Sequence, residues 1–418
     1  MSVIENYPAL RPSFLLDFAN SGRVDPRISC ARASTATCYG CDGKLRTVAA
    51  NVPRIDYDPA TGKCLGLLVE EARTNLFTYS ANVANAVWGK TNLTADGSKV
   101  LVGGADFYKV SEVVTAQPAG KNVRRMFPSA YPAGTALSIK WFFIEGTRRF
   151  CNVVILSAGA TASIALDTKT GDFGIRQTGL PGWTWTVVKH LTGVIEVVAK
   201  NPSIHAEYPA GTYIDVRPTT VASLAEVGSI GDTYTGDTSQ YVYIGPIQLE
   251  LGASPTSYIP TDAAAVTRAA ENIQLAELGS WYRRESGTWV ADYMLAERTP
   301  SGTETIVCAS HKTENSRLQV RTGVVAARNA AGTQFETVIP ATRVARIATT
   351  YGGGKSSTAK SGVLFPEVDY ATPVDAQRLH LGVIDTSWAG YWLNGYIARI
   401  AYIPAQLTRA QLQRVSAT

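Results

Sequence analysis

The sequence predicts an all-β protein, with an extended N-terminal region followed by two antiparallel β-sandwich domains. Three observations lead there. Runs rich in β-branched and aromatic residues are short, and glycine, proline, aspartate and asparagine punctuate them throughout. Between residues 76 and 262 no stretch carries a convincing helical period. The chain has 418 residues, 45% hydrophobic and only 17% charged, which suits a folded protein too long for one compact core. The expected divisions are 1–75, 76–262, a linker at 263–278, and 279–418.

Residues 1–75 are dense in turn formers, among them Asn20-Ser21-Gly22, Asp25-Pro26, Asp42-Gly43, Asp58-Pro59 and Thr61-Gly62. Short strands and extended loops of this kind cannot bury a core alone. An arm that wraps a neighbouring subunit or docks on a larger assembly would solve that problem. Four cysteines crowd the region: Cys30, Cys38, Cys41 and Cys64. Disulfides formed after leaving the cytosol, free structural thiols and a zinc site are the alternatives. Cys38-Tyr39-Gly40-Cys41 has metal-ligand spacing, but the other spacings are irregular and no histidine lies nearby, so no metal is expected.

From 76 to 262 strands follow one another with turns between. Leu137–Ile144 is rich in β formers, and Ser163–Asp167 followed by Thr168-Lys169-Thr170-Gly171 reads as a hairpin. Trp183–Val188, Val194–Val198 and Gln240–Ile244 are further strands. Many short strands without intervening helices point to an antiparallel sandwich of the jelly-roll kind. Residues 263–278 read as a short helix or a connecting strand. Beyond them, Gly287–Tyr293, Ser316–Arg321, Arg343–Thr349 and Arg378–Gly382 are strand candidates. Thr408 is placed to cap a short terminal helix that carries Leu412 and Val415.

Chemistry is sparse. Gly354-Lys355-Ser356 lacks the upstream glycine and the strand-to-helix setting of a phosphate loop, so Gly352–Thr358 reads as an exposed loop. His190, His205, His311 and His380 are far apart and match no metal or catalytic spacing. Glu70-Glu71 and Asp167/Asp172 are unconvincing as the carboxylate pair of a glycosidase, which needs about 5–10 Å between them. Asp232 and Asp237 read as turn residues rather than calcium ligands. No catalytic residue and no cofactor are expected.

Sugar binding asks for less: an aromatic platform with polar partners at its rim. Trp183 and Trp185 share one face of a strand, as do Tyr241 and Tyr243. Trp388 sits in a glycine-bearing run that reads as a loop, where an aromatic is harder to explain as packing. These five are the candidate carbohydrate-binding residues. The net charge of +5 comes from scattered basic residues, which argues against nucleic acid. No apolar run approaches the ~20 residues of a membrane span, so membrane insertion is not expected. The N-terminus is unlike a signal peptide, which implies synthesis in a cytoplasm and any relocation by assembly.

Three segments carry a resemblance to a known family. They are Arg11–Asn20, Arg32–Thr37 and the run Gly66-Leu67-Leu68-Val69-Glu70-Glu71-Ala72-Arg73-Thr74-Asn75-Leu76. Together they resemble the opening of tailed-bacteriophage and prophage virion proteins of the tail-fibre and head-spike type. Tyr243–Thr261 is similar to the exit of carbohydrate-binding jelly rolls in phage fibres. Leu393–Leu412 is similar to the close of concanavalin-A/laminin-G-like lectin sandwiches. The family carries no required cysteines in the first region, so the four here are a departure. The resemblance implies a virion location, with synthesis in a bacterial host. It implies that residues 1–75 anchor to capsid, neck or tail proteins. It also implies contact with host cell-surface polysaccharide and a homo-oligomer such as a trimer. A purely structural collar or decoration protein and a polysaccharide depolymerase are the rival expectations.

Overall fold

The computed structural model describes residues 11–228, 232–296, 303–312, 317–328, 334–370, 375–384 and 391–417. The chain is nearly all β, its strands pair antiparallel, and the sheets stack as two sandwiches. The strands build the expected all-β class with two antiparallel sandwiches, but the N-terminal strands belong to the second sandwich rather than to a region ahead of both.

The first sandwich is contiguous in sequence. Its seven-stranded sheet runs Lys99–Val102, Ala105–Glu112, Tyr241–Leu251, Leu137–Ile144, Ile195–Asn201, Thr184–Lys189, with Leu93–Thr94 beside Ala105–Glu112. Its six-stranded sheet runs Phe173–Thr178, Ala160–Asp167, Phe150–Ser157, Tyr213–Pro218, Asn122–Met126, Trp88–Thr91. Alternation along Leu137–Ile144 sends Ile139, Trp141 and Phe143 into the core between the sheets. Phe142 and Ile144 on its other face meet Phe107, Val194 and Tyr258. Burial on both faces explains why this strand reads as an unbroken apolar run. The expected hairpin is present, closed by Asp167 and by Gly171 at φ +83°.

The second sandwich is assembled from both ends of the chain. Its nine-stranded sheet centres on Val344–Gly352, Gly287–Leu295 and Gly395–Ile403. The outer edge of Gly395–Ile403 is shared by two N-terminal strands: Cys64–Val69 pairs with its first part and Phe14–Asp17 with its second. In the facing seven-stranded sheet, Ile28–Ala31 pairs with Asn272–Leu275, which pairs with Arg378–Leu381. Phe14, Leu16, Phe18, Leu67 and Val69 are buried in the same core as Trp289, Ile347 and Tyr402.

Strand pairing therefore crosses the expected divisions. The burial problem of residues 1–75 is solved within the chain, where they cover a sheet edge that would otherwise be open. The expected linker supplies Val266–Arg268 and Asn272–Leu275, both paired to N-terminal strands. Gly352–Thr358 corrects another expectation. It is a tight hairpin with Gly353 and Gly354 at φ +55° and +75°, and Ser356–Thr358 are buried. Small side chains there make room for the terminal helix Arg409–Ser416, whose Leu412 and Val415 pack against Ala348 and Ala359. Thr408 caps that helix in a capping box with Gln411.

Candidate functional site

The run from Gly66 to Leu76 leaves the nine-stranded sheet after Val69 and crosses the seam between the sandwiches, where Glu70, Asn75 and Leu76 find partners. Gly66 has φ +113°, and a Cβ would stand 2.3 Å from the Ile397 carbonyl oxygen. Glu70 is buried and accepts from Arg54 Nη2 at 2.7 Å and from the Ser257 hydroxyl at 2.7 Å. Glu271 bridges Arg54 Nε at 2.8 Å and Arg32 Nη1 at 2.6 Å. Burial opposes ionisation of Glu70, but the Arg268 and Arg54 guanidiniums overrule it and hold the carboxyl well below the usual range. Asn75 donates to the Ile247 and Ile259 carbonyls and accepts from the Leu249 amide, tying the run to the closing strand of the first sandwich.

A second contact binds the hairpin Ala36–Val48 to the same sandwich. The Tyr39 hydroxyl donates to Glu196 at 3.0 Å, and Lys140 and His190 approach the same carboxylate at 3.3 and 3.2 Å. Burial would raise Glu196, but Lys140 and His190 prevail and hold it down to about 2. Asp56 accepts from the Tyr39 amide and the Tyr396 hydroxyl; its burial pushes the carboxyl up to about 6.

The candidate sugar-binding aromatics fare differently from one another. Trp183 and Trp185 are core residues: Trp183 donates to the Tyr208 hydroxyl at 2.7 Å and stacks on its ring. Sequence spacing put them correctly on one face, but that face turns inward. Tyr241 and Tyr243 are half-buried, edge to face at 5.2 Å, with Lys109 Nζ 4.5 Å from the Tyr241 ring. Trp388 lies outside the described residues. All six cysteines are free thiols, and burial pushes Cys30 and Cys38 up to about 11, away from reactivity.

A concave site of about 730 Å³ opens instead on the outer face of the nine-stranded sheet, just beyond the terminal helix. Four strands carry a row of alternating charge across its floor: Arg346, Asp292, Arg399 and Asp17 stand opposite one another in register. Arg346 holds Asp292 through Nε at 2.5 Å and Nη2 at 3.1 Å, and Arg399 Nη2 is 2.9 Å from the same carboxylate. Asp17 accepts from the Asn20 amide and side chain across the four-residue helix Phe18–Ser21. Lys63, Met294 and Val344 form the rim.

Sequence reasoning missed this site. The available signal was a single charge inside each of three otherwise apolar runs, Trp289–Leu295, Val344–Ala348 and Ala398–Ile403. What the sequence hid is that the three charges fall in one row.

No family model matches the chain, and no curated protein matches it. Similar solved structures include the CBM40 module of the Ruminococcus gnavus IT-sialidase bound to α2,3-sialyllactose. It is 17% identical over 32% of this chain and 83% of that one, with a TM-score of 0.27. Domain 4 of AbnA, a GH43 extracellular arabinanase from Geobacillus stearothermophilus in complex with arabinotriose, is 13% identical. It covers 40% of this chain and 83% of that one at a TM-score of 0.29. Domains LG4-5 of the mouse laminin α1 chain are 11% identical over 65% and 84%, with a TM-score of 0.22. At such scores these likenesses carry no weight for architecture or ligand; the strand pairings above define the fold.

Proposed function

We propose that this chain is a bacteriophage virion adhesin, of the tail-fibre or head/neck-spike type, that holds host-surface glycan without cleaving it. The virion setting is supported by the sequence resemblance at 11–76, and the lectin-like reading by that at 393–412. The observation that carries the glycan reading is the preformed groove beside Asp292. Its volume suits a few sugar rings, and its donors and acceptors are pinned on strands rather than loops. Hydroxyl-rich ligands are recognised by such fixed pairs of carboxylate and guanidinium.

Binding without hydrolysis is supported by how the two groove carboxylates are used. Both oxygens of Asp292 face guanidiniums, and both of Asp17 accept from Asn20. Neither is left as a spare proton donor or nucleophile. Anchoring through residues 1–75 falls to their outward-facing side chains, because their strands are already paired within the chain. Weak sugar binding at one groove gains avidity in a homo-oligomer such as a trimer.

The test uses the full chain, since removing residues 1–75 would strip four strands from the second sandwich. A glycan array should show sugar-dependent binding, and host polysaccharide incubated with the protein should keep its chain length. Shortened chains would establish the depolymerase instead. A blank array would leave the collar or decoration protein. Detection of the chain in purified particles tests the virion setting separately.

A further inference from the structure

We infer that the ligand of the groove is a sugar bearing an anionic group, a carboxylate in the first instance. The inference rests on the glycan reading above and names the ligand class within it. Three cationic side chains, Lys63, Arg346 and Arg399, line the groove against two carboxylates, Asp17 and Asp292. Lys63 is exposed at the rim, and both arginines are buried in the floor at 8% and 7% exposure.

The two guanidiniums are not equivalent. Every nitrogen of Arg346 is engaged: Nε and Nη2 donate to Asp292, and Nη1 donates to the Ala417 carbonyl at 3.0 Å. Arg399 shares the same Asp292 oxygen through Nη2 at 2.9 Å, but at an angle that makes no hydrogen bond. It has no other partner among the described residues. Nη2 is thus buried beside a carboxylate without a directed hydrogen bond, an uncommon arrangement, because the ion pair offsets the charge but leaves that donor's desolvation unmet. Its other neighbour in the row, Asp17, is turned toward Asn20.

The floor is therefore short of one acceptor, and the shortage is centred on Arg399. A neutral sugar brings hydroxyls, which satisfy a guanidinium weakly. A carboxylate brings two acceptor oxygens and the balancing charge, with the planar geometry that a guanidinium fork matches. Hexuronates, sialosides and sulfated sugars share this chemistry and compete for the same position.

The experiment is titration of the full chain against paired glycans that differ only in charge. The probes are hexuronate oligomers and their methyl esters, sialyllactose and lactose, and a sulfated sugar with its parent. The acidic member of at least one pair should bind about tenfold or more tightly than its neutral partner, with affinity falling as salt rises. Arg399→Gln should remove most of that preference and leave the melting temperature within a few degrees of wild type, while Arg399→Lys should keep part of it. Whichever pair shows the preference identifies the anion. Equal binding of charged and neutral partners, with Arg399→Gln weakening both alike, would overturn the anionic ligand and spare the groove. Absence of binding by every probe would overturn the groove reading and this inference with it.

Discussion

The two sandwiches have similar layers but are held together differently. The first is one continuous stretch whose sheets meet over Trp141, Phe143, Val153, Ile164 and Ile247, an apolar core of the ordinary kind. The second is closed only when strands from the first seventy residues join strands that lie beyond residue 390, as in the pairing of Phe14 with Tyr402. Its junction with the first sandwich is charged and buried, through Arg32, Arg54, Glu70, Arg268 and Glu271. Apolar burial tolerates exchange of one hydrophobic partner for another, whereas buried ions are stable only against their own partners. We attribute to these ions the selection of which distant segments meet.

That contrast is open to direct attack. The largest effect is expected at the seam. Arg54→Ala would leave Glu70 and Glu271 buried without their shared guanidinium, at a cost of about 3–5 kcal/mol. Urea unfolding measures this, and a loss below about 1 kcal/mol would mean that the seam is not held by charge. In the first sandwich, Trp183→Ala is expected to cost about 3 kcal/mol through the cavity it leaves. The same variant should bind glycan as the wild type does. Lost binding at unchanged stability would return Trp183 to the ligand site.

Asp56 gives the seam a pH signature of distinct sign. Its folded value near 6, against an ordinary 3.8, means that the folded chain binds this proton more tightly than the unfolded one. Ionised Asp56 therefore costs stability: nothing below about pH 4, a growing amount up to pH 6, and the full amount above. Asp56→Asn should stabilise the protein by about 2–3 kcal/mol at pH 8, a gain that vanishes near pH 4. Glu196 acts in the opposite sense. Its stabilisation is complete above its ordinary 4.5 and is lost as the pH falls toward about 2. Denaturant midpoints across pH for wild type and Asp56→Asn separate the two groups. The smallest effect is expected at Tyr241→Ala, at most about 1 kcal/mol from the lost contact with Lys109.

The same comparison explains what the sequence revealed. The hairpin at Ser163–Phe173, the strand Leu137–Ile144 and the cap at Thr408 were legible because each is decided by neighbours in the chain. The second sandwich was not, since nothing local tells Leu16 that its partner is Ile400. The Gly66–Leu76 run was recognisable as a pattern. Its role at the seam depends on Ser257, Arg268 and Glu271, nearly two hundred residues away. The aromatic pairs were placed on the correct strands, but alternation fixes only that two residues share a face, and which face turns inward depends on the sheet packed against it. The groove residues stayed hidden because a row of charge across four strands exists only after register is set.

The central claim is that the groove beside Asp292 is where this protein holds glycan, and Val344→Trp tests it most directly. Val344 stands at the rim with 59% of its surface exposed, so an indole there fills the groove and leaves the core untouched. Immobilised host polysaccharide should capture the wild-type protein and keep its own chain length. It should fail to capture the variant, whose melting temperature should be unchanged. Equal capture of the two proteins would place the glycan site elsewhere on the molecule and contradict the account.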